Sequence, residues 1–341
     1  MLIGLVYDLR DAYRNLGWDE EHLAEFDQPE TIDALCRALE SGGHRVERIG
    51  HGRALAERLV AGERWDLVFN IAEGLGGRGR EAQVPGLLEL YGQPYLFSDP
   101  VTLGVTLDKG LAKRLVRDAG WPTAPFVLLE ETRDLEWIGI ACPLFLKPVA
   151  EGSGKGCDSG SRVRDADELA RVFEGLRTRF DQPVLAESHL PGREFTVAIV
   201  GNGAAIRLAL VAEILFETDG GDDGVYAFAT KEEGATRVRY RLVEDGEARQ
   251  ALEAALGIYR LLGCRDAGRL DFRSDGEGCP HFLEINPLAG LHPDHSGFPR
   301  MAAQHGWSYD RLILTMLEAG LERLKIQDSE AKKNLRKRPE A

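Results

Sequence analysis

Phe282-Leu283-Glu284-Ile285-Asn286-Pro287 sets polar residues two apart within an apolar run. That alternation predicts a β-strand on which Glu284 and Asn286 project to the same face. A preceding strand is expected through Arg269-Leu270-Asp271-Phe272, and pairing of the two would bring Asp271 to the same point. Three hard oxygen donors converging there, without histidine or cysteine, suit Mg²⁺. A polar edge on a solvated sheet is the plainer alternative. Against it, the acid and the amide sit among Phe272, Phe282, Leu283 and Ile285, where unpaired charge is costly.

Upstream, Pro143-Leu144-Phe145-Leu146-Lys147-Pro148-Val149 is an apolar strand interrupted by a lysine. An ammonium is expensive to desolvate, so Lys147 calls for an anionic partner. The loop that follows, Glu151-Gly152-Ser153-Gly154-Lys155-Gly156, can wrap backbone N–H groups around phosphate oxygens. It is not a P-loop, because the GxxxxGK[ST] pattern would need glycine at Val149 and a hydroxyl residue at Gly156. Between these stretches, Val184 to Val197 carries Glu187 and Glu194 on either side of a Pro191-Gly192 turn. Such carboxylates can accept from an adenine amine and from ribose hydroxyls, or serve as ordinary surface acids.

Toward the N-terminus, strand and helix alternate. Leu2 to Tyr7 reads as a strand, and Ile32, Leu35, Cys36 and Leu39 form the stripe of an amphipathic helix. Pro29 fits the first turn of that helix and Gly42-Gly43 its end. Further strands are expected at Arg45–Ile49 and Asp66–Ile71, the latter leading into the turn Glu73-Gly74-Leu75-Gly76-Gly77. This order predicts a parallel sheet with ligands at the carboxyl ends of its strands. Ser98-Asp99-Pro100 starts another helix, and the units expected are residues 1–100, 101–185 and 186–326. The charged tail, 327–341, is expected to be disordered.

The formal net charge of −14 argues against general nucleic-acid or membrane binding. No apolar run approaches the ~20 residues of a membrane span, and no basic leader precedes the first strand. Cys36, Cys142, Cys157, Cys264 and Cys279 are scattered and never form CxxC, which fits reduced thiols in a cytoplasmic protein.

In this order, Leu107-Asp108-Lys109, Phe145 to Gly156, Glu187 to Val200, Gly268 to Phe272 and Glu284 to Ala303 resemble the ATP-grasp superfamily, and within it the D-alanine–D-alanine ligase family. The resemblance runs from about Asp66 to Leu324. It implies an α/β chain, α+β in its C-terminal part. Residues 101–185 would be the central ATP-grasp subdomain and 186–326 the catalytic one, behind a parallel-sheet substrate-binding domain over 1–100. It also implies an ATP- and Mg²⁺-dependent ligase that joins two small amino acids through an acyl phosphate and releases ADP.

The roles implied are specific. Lys109, Lys147 and Lys231 would contact the ATP phosphates. Glu187 would accept from the adenine amine, Leu190 would offer its backbone N–H to the ring, and Glu194 would hold the ribose. Asp271, Glu284 and Asn286 would ligate two Mg²⁺ ions, with Mn²⁺ as a substitute. Arg269 and the Gly290 backbone would stabilise the tetrahedral intermediate, and Ser153 belongs to the loop that closes the site. A homodimer through the first domain is also implied.

Departures cluster on the amino-acid side. Tyr7 to Tyr13 lacks the glycine-rich turn whose glutamate holds the first ammonium, and an extended loop runs on to Pro29. Glu73-Gly74 stands where the family has His-Gly, which makes Glu73 a candidate substrate contact. Glu232 replaces the tyrosine that follows Lys231, and the segment His292-Pro293-Asp294-His295 is longer than usual, with Ser296 still able to bind the second carboxylate. Two competing readings follow: a carboxylate–amine ligase of the same fold with other substrates, or an ATP-binding module without catalysis. His292 and His295 read as loop polarity rather than metal ligands, and the basic run Lys332 to Arg338 as a solvated terminus.

Overall fold

Parallel pairing of three strands opens the chain: β1 (Leu2–Val6) lies between β2 (Arg45–Gly50) and β3 (Leu67–Asn70). The computed structural model describes residues 1–14, 17, 20–216 and 238–336. Lys231 and Glu232 therefore lie outside the described residues. A central strand covered on both faces reads as a continuous apolar run, as β1 does. The helix Pro29–Ser41 places proline in its first turn and buries Ile32, Leu35, Cys36 and Leu39, as the stripe predicts. Asp99 caps the helix Pro100–Leu107, accepting from the Thr102 amide at 2.9 Å.

A second sheet is antiparallel, in the order β4-β7-β5-β6: β4 (Phe126–Leu129), β5 (Leu144–Pro148), β6 (Arg162–Val163) and β7 (Val184–Ser188). The helix Ala166–Phe180 lays Leu169, Phe173 and Leu176 on it. A third sheet, also antiparallel, runs β10-β9-β8-β11-β12: β8 (Glu194–Asn202), β9 (Ala205–Phe216), β10 (Val238–Leu242), β11 (Ala267–Ser274) and β12 (Pro280–Asn286). One face of this sheet carries the helix Gly246–Leu261. That helix buries Ala251, Ala254, Ala255, Ile258 and Tyr259, whereas Leu252 and Leu256 sit on its half-buried flank. The other face shares a core with β1 and the helices Pro29–Ser41 and Tyr309–Arg336.

The last helix, Tyr309–Arg336, runs on into the charged tail. Ala331, Lys332, Lys333, Leu335 and Arg336 all rank high in helix propensity, so the helix propagates even though the sequence there is nearly devoid of apolar residues. Among the described residues, no helix is long and apolar enough to cross a membrane.

Asp266 joins the units. Its fully buried carboxylate takes Nε and Nη2 of Arg323 at 2.8 and 2.7 Å, the Phe97 amide at 2.8 Å and Asn202 Nδ2 at 3.0 Å. Arg323 also donates to the Tyr95 carbonyl at 3.1 Å. Breaking a buried pair strands its partner, so Asp266→Ala should destabilise the chain by about 3–5 kcal/mol. Glu322→Ala, at the exposed Arg207 pair, should cost no more than about 1 kcal/mol. Urea unfolding of both variants measures the contrast, and equal costs would contradict the role given to Asp266.

Candidate active site

The second and third sheets face each other across a cavity of about 400 Å³. Antiparallel pairing of β11 with β12 sets Asp271 opposite Glu284 and Arg269 opposite Asn286, so all four line one wall. The Asp271 carboxylate accepts from Arg269 Nε (3.1 Å) and Nη2 (2.8 Å), from Thr196 Oγ1 (2.6 Å) and from Asn286 Nδ2 (3.3 Å). Glu284 meets Lys109 Nζ at 3.2 Å. Burial pushes the Glu284 carboxyl up, but Lys109, Lys147 and Arg269 outweigh it and hold the group down at about 2.

The facing wall comes from β5 and β7, and it is met by the helix Lys109–Asp118, which packs on the third sheet through Ala112 and Val116. Lys147 and Lys113 each place Nζ 2.7 Å from one oxygen of the buried Glu187. Lys113 is fully buried and also donates to Thr123 Oγ1 and the Phe282 carbonyl, both at 2.9 Å. Burial raises the Glu187 carboxyl, yet the two ammonium groups carry it down to about 2. The lysines diverge: burial outweighs the pull of Glu187 at Lys113 and lowers it, whereas Glu187 and Glu284 outweigh burial at Lys147 and raise it.

Glu187 thus stands as counter-ion to Lys113 and Lys147. Both its oxygens are occupied as counter-ions, so an adenine amine would have to share them. Leu190 and Glu194 line the same end of the cavity. Glu194 pairs with Arg273 at 3.3 Å, and burial raises it to about 7 against that pull. Ser153 lies on the cavity wall with φ at +57°, a left-handed conformation that costs a non-glycine residue energy. Gly290 passes so close to Ser296 that an added Cβ would sit 2.8 Å from its Oγ. His292 Nδ1 accepts from the Asp294 and His295 amides, both at 3.2 Å, which fits the reading of these histidines as loop polarity.

The extended N-terminal loop is a strap rather than a passive linker. Its two ends lie side by side in the parallel bridge Leu9–Asp27, and it presses two acids on the glycine-rich loop. Glu25 accepts from the Gly152 amide at 2.6 Å and pairs with Lys155 and Arg80, each at 3.0 Å. Glu21 accepts from the Gly156 amide at 3.2 Å and pairs with Arg179. Two N–H groups expected to cradle phosphate thus already donate to carboxylates. Gly156, at φ +70°, also passes where a Cβ would meet Pro148 at 2.6 Å.

Beside the strap, Asp27, Glu73 and Glu81 line an acidic end of the cavity. Burial is the main force on each. It raises Asp27 and Glu81 to about 7 and Glu73 well above the carboxylate range, with Glu81 and Glu25 adding to the push on Glu73. Asp27, Glu81, Glu25 and Arg80 have no flag in the sequence. Only Lys113 leaves a trace, four residues after Lys109 and so on the same helix face.

A family model described as "D-ala D-ala ligase C-terminus" matches residues 115–318. A D-alanine–D-alanine ligase of Bordetella petrii is 34% identical over 288 residues, covering 82% of this chain and 83% of that protein. An uncharacterized protein, y4sG, of Sinorhizobium fredii is 32% identical over 313 residues, covering 87% and 89%. Among solved structures, the D-alanine–D-alanine ligase of Bacillus anthracis complexed with ATP superposes with a TM-score of 0.73 at 21% identity, over 96% of this chain and 99% of that one. The VanG D-Ala:D-Ser ligase of Enterococcus faecalis gives a TM-score of 0.70 at 20% identity, over 94% and 99%.

The carboxyl of Glu187 is held at about 2 in the folded chain against an ordinary 4.5. Its contribution to stability is therefore complete above about 4.5 and is lost as pH falls toward about 2. Glu187→Gln should lower stability at neutral pH and flatten the acid limb of the stability–pH curve between those values. An unchanged acid limb would mean that the two lysines do not hold this carboxylate.

Proposed function

The chain belongs to the D-alanine–D-alanine ligase family, and on that footing we propose that it phosphorylates the carboxylate of one small amino acid with ATP and couples it to the amine of a second. D-alanine is the first candidate for both. The observation that supports this most is the cavity itself. Cationic Lys109 and Lys147 stand across it from Asp271, Glu284 and Asn286, as transfer of a charged phosphoryl group requires.

A carboxylate is a poor electrophile because its charge is shared by two oxygens. Phosphorylation turns one oxygen into a leaving group. In this reading Lys109 and Lys147 take the phosphates, and Lys231 joins them. Glu187 keeps Lys147 protonated and in place, while Leu190 and Glu194 bind the adenosine end. Asp271, Glu284 and Asn286 would hold Mg²⁺. Their oxygen-only donor set, with Glu284 ionised and facing the cavity, suits a hard cation. When bound, that cation supplies neutralising charge for the triphosphate.

Arg269, fixed by two hydrogen bonds to Asp271, would receive the oxyanion formed when the amine attacks, with the Gly290 amide as second donor. Asp27, Glu73 and Glu81 would take the ammonium of the first substrate, in place of the turn that Tyr7 to Tyr13 lacks. Ser296 would bind the carboxylate of the second. Ser153 and the strapped loop would keep water from the acyl phosphate. Three carboxylates at the donor end exceed what one ammonium needs, which gives the second reading, other amino-acid substrates on the same chemistry, its specific support.

Glu284→Gln is nearly isosteric and should lower kcat by about 10²–10³-fold with little change in melting temperature. Near-wild-type turnover would mean that the charge of Glu284 is not used. ADP release measured across a panel of D- and L-amino acids should rise with D-alanine. Stimulation by other amino acids alone would favour the second reading. No stimulation by any of them, despite tight Mg–ATP binding, would favour a module without catalysis.

A further inference from the structure

The β11–β12 hairpin closes through Asp275-Gly276-Glu277-Gly278-Cys279-Pro280-His281. Cys279 and His281 are two apart around a proline and so project to one face. Asp275 is anchored first: its Oδ1 accepts from the Glu277 and Cys279 amides, both at 2.9 Å. The other oxygen, Oδ2, is left 3.1 Å from His281 Nε2. One carboxylate oxygen, the Cys279 sulfur and one imidazole nitrogen all lie within 4.8 Å of one another, each on a half-buried residue. Small side-chain rotations would bring them onto one ion at bonds of about 2.0–2.3 Å.

We propose that Asp275, Cys279 and His281 form a metal site for a borderline divalent cation of the Zn²⁺ type, apart from the cavity that carries Asp271 and Glu284. The mixed oxygen, nitrogen and sulfur donors select against Mg²⁺, which prefers oxygen alone. Three protein ligands on a partly exposed tip leave the fourth position to water. Binding displaces the Cys279 thiol proton to solvent, because the thiolate is the ligand. The site is a clamp. Gly192 donates to the Ser274 carbonyl at 2.9 Å and Ser274 to that of Arg193 at 2.8 Å, so closing the tip also fastens the turn that leads into Glu194.

The test uses the full chain, stripped with chelator and kept in excess Mg²⁺ to occupy oxygen sites. Titration with Co²⁺ should give a thiolate-to-cobalt charge-transfer band that saturates at one equivalent. The band should vanish in Cys279→Ser and persist in Cys157→Ser, whose thiol lies in the cavity. Zn²⁺ should raise the melting temperature of the wild type and leave that of Cys279→Ser unchanged. His281→Gln should weaken binding by more than the roughly 10–100-fold that loss of an outer-shell partner costs, and it carries the test alone if the serine variant does not fold. No band, or a band lost in Cys157→Ser and kept in Cys279→Ser, would overturn the proposal.

Discussion

Glu187 between Lys113 and Lys147 is the constraint on which the rest of the molecule turns. Three buried charges are not a good way to stabilise a sheet, since apolar residues of like volume do as well or better. Once present, each needs the others, because removal of one leaves an uncompensated charge. The triad links β5 and β7 to the helix Lys109–Asp118, whose Ala112 and Val116 pack in the core of the third sheet. Lys109, at the head of that helix, pairs with Glu284 on β12, so one cluster of charges fastens the two jaws together. Position and electrostatics thus come from the same few contacts.

The N-terminal unit acts on this arrangement from the side. Glu21 and Glu25 take up amides and cations of the glycine-rich loop, so its shape depends on the strap as well as on its own glycines. The same strap delivers Asp27 to an end of the cavity where Glu73 and Glu81 already crowd together. Burial and mutual repulsion there favour an incoming cation, because a bound ammonium relieves both. The nucleotide end and the substrate end therefore differ in electrostatic character: lysines mark one, and at the other burial holds Asp27, Glu73 and Glu81 up against the pull of Arg10, Arg80 and Lys109.

Much of this was legible because it is local or periodic. Alternation through Phe282–Asn286 and Arg269–Phe272 foretold two strands, and their pairing follows from the short connection between them. The stripe of the helix Pro29–Ser41 and the Asp99 cap are likewise properties of neighbouring residues. What escaped depends on distance along the chain. Nothing near Lys113 announces its partner Glu187, and nothing in the strap announces the amides of Gly152 and Gly156. In the helix Gly246–Leu261, Ala251, Ala254 and Ala255 lie against the sheet because small side chains allow close approach. Glu187 itself was assigned by resemblance to the adenine, and only the geometry makes it a counter-ion.

The central claim is that the paired jaws activate a carboxylate by moving phosphate onto one of its oxygens. The most direct measurement follows that oxygen: turnover with ATP and a donor amino acid whose carboxylate is labelled with ¹⁸O, and mass analysis of the phosphate released. An acyl-phosphate route predicts one ¹⁸O atom in the phosphate for each ADP formed. Phosphate without label, at normal ADP release, would contradict it.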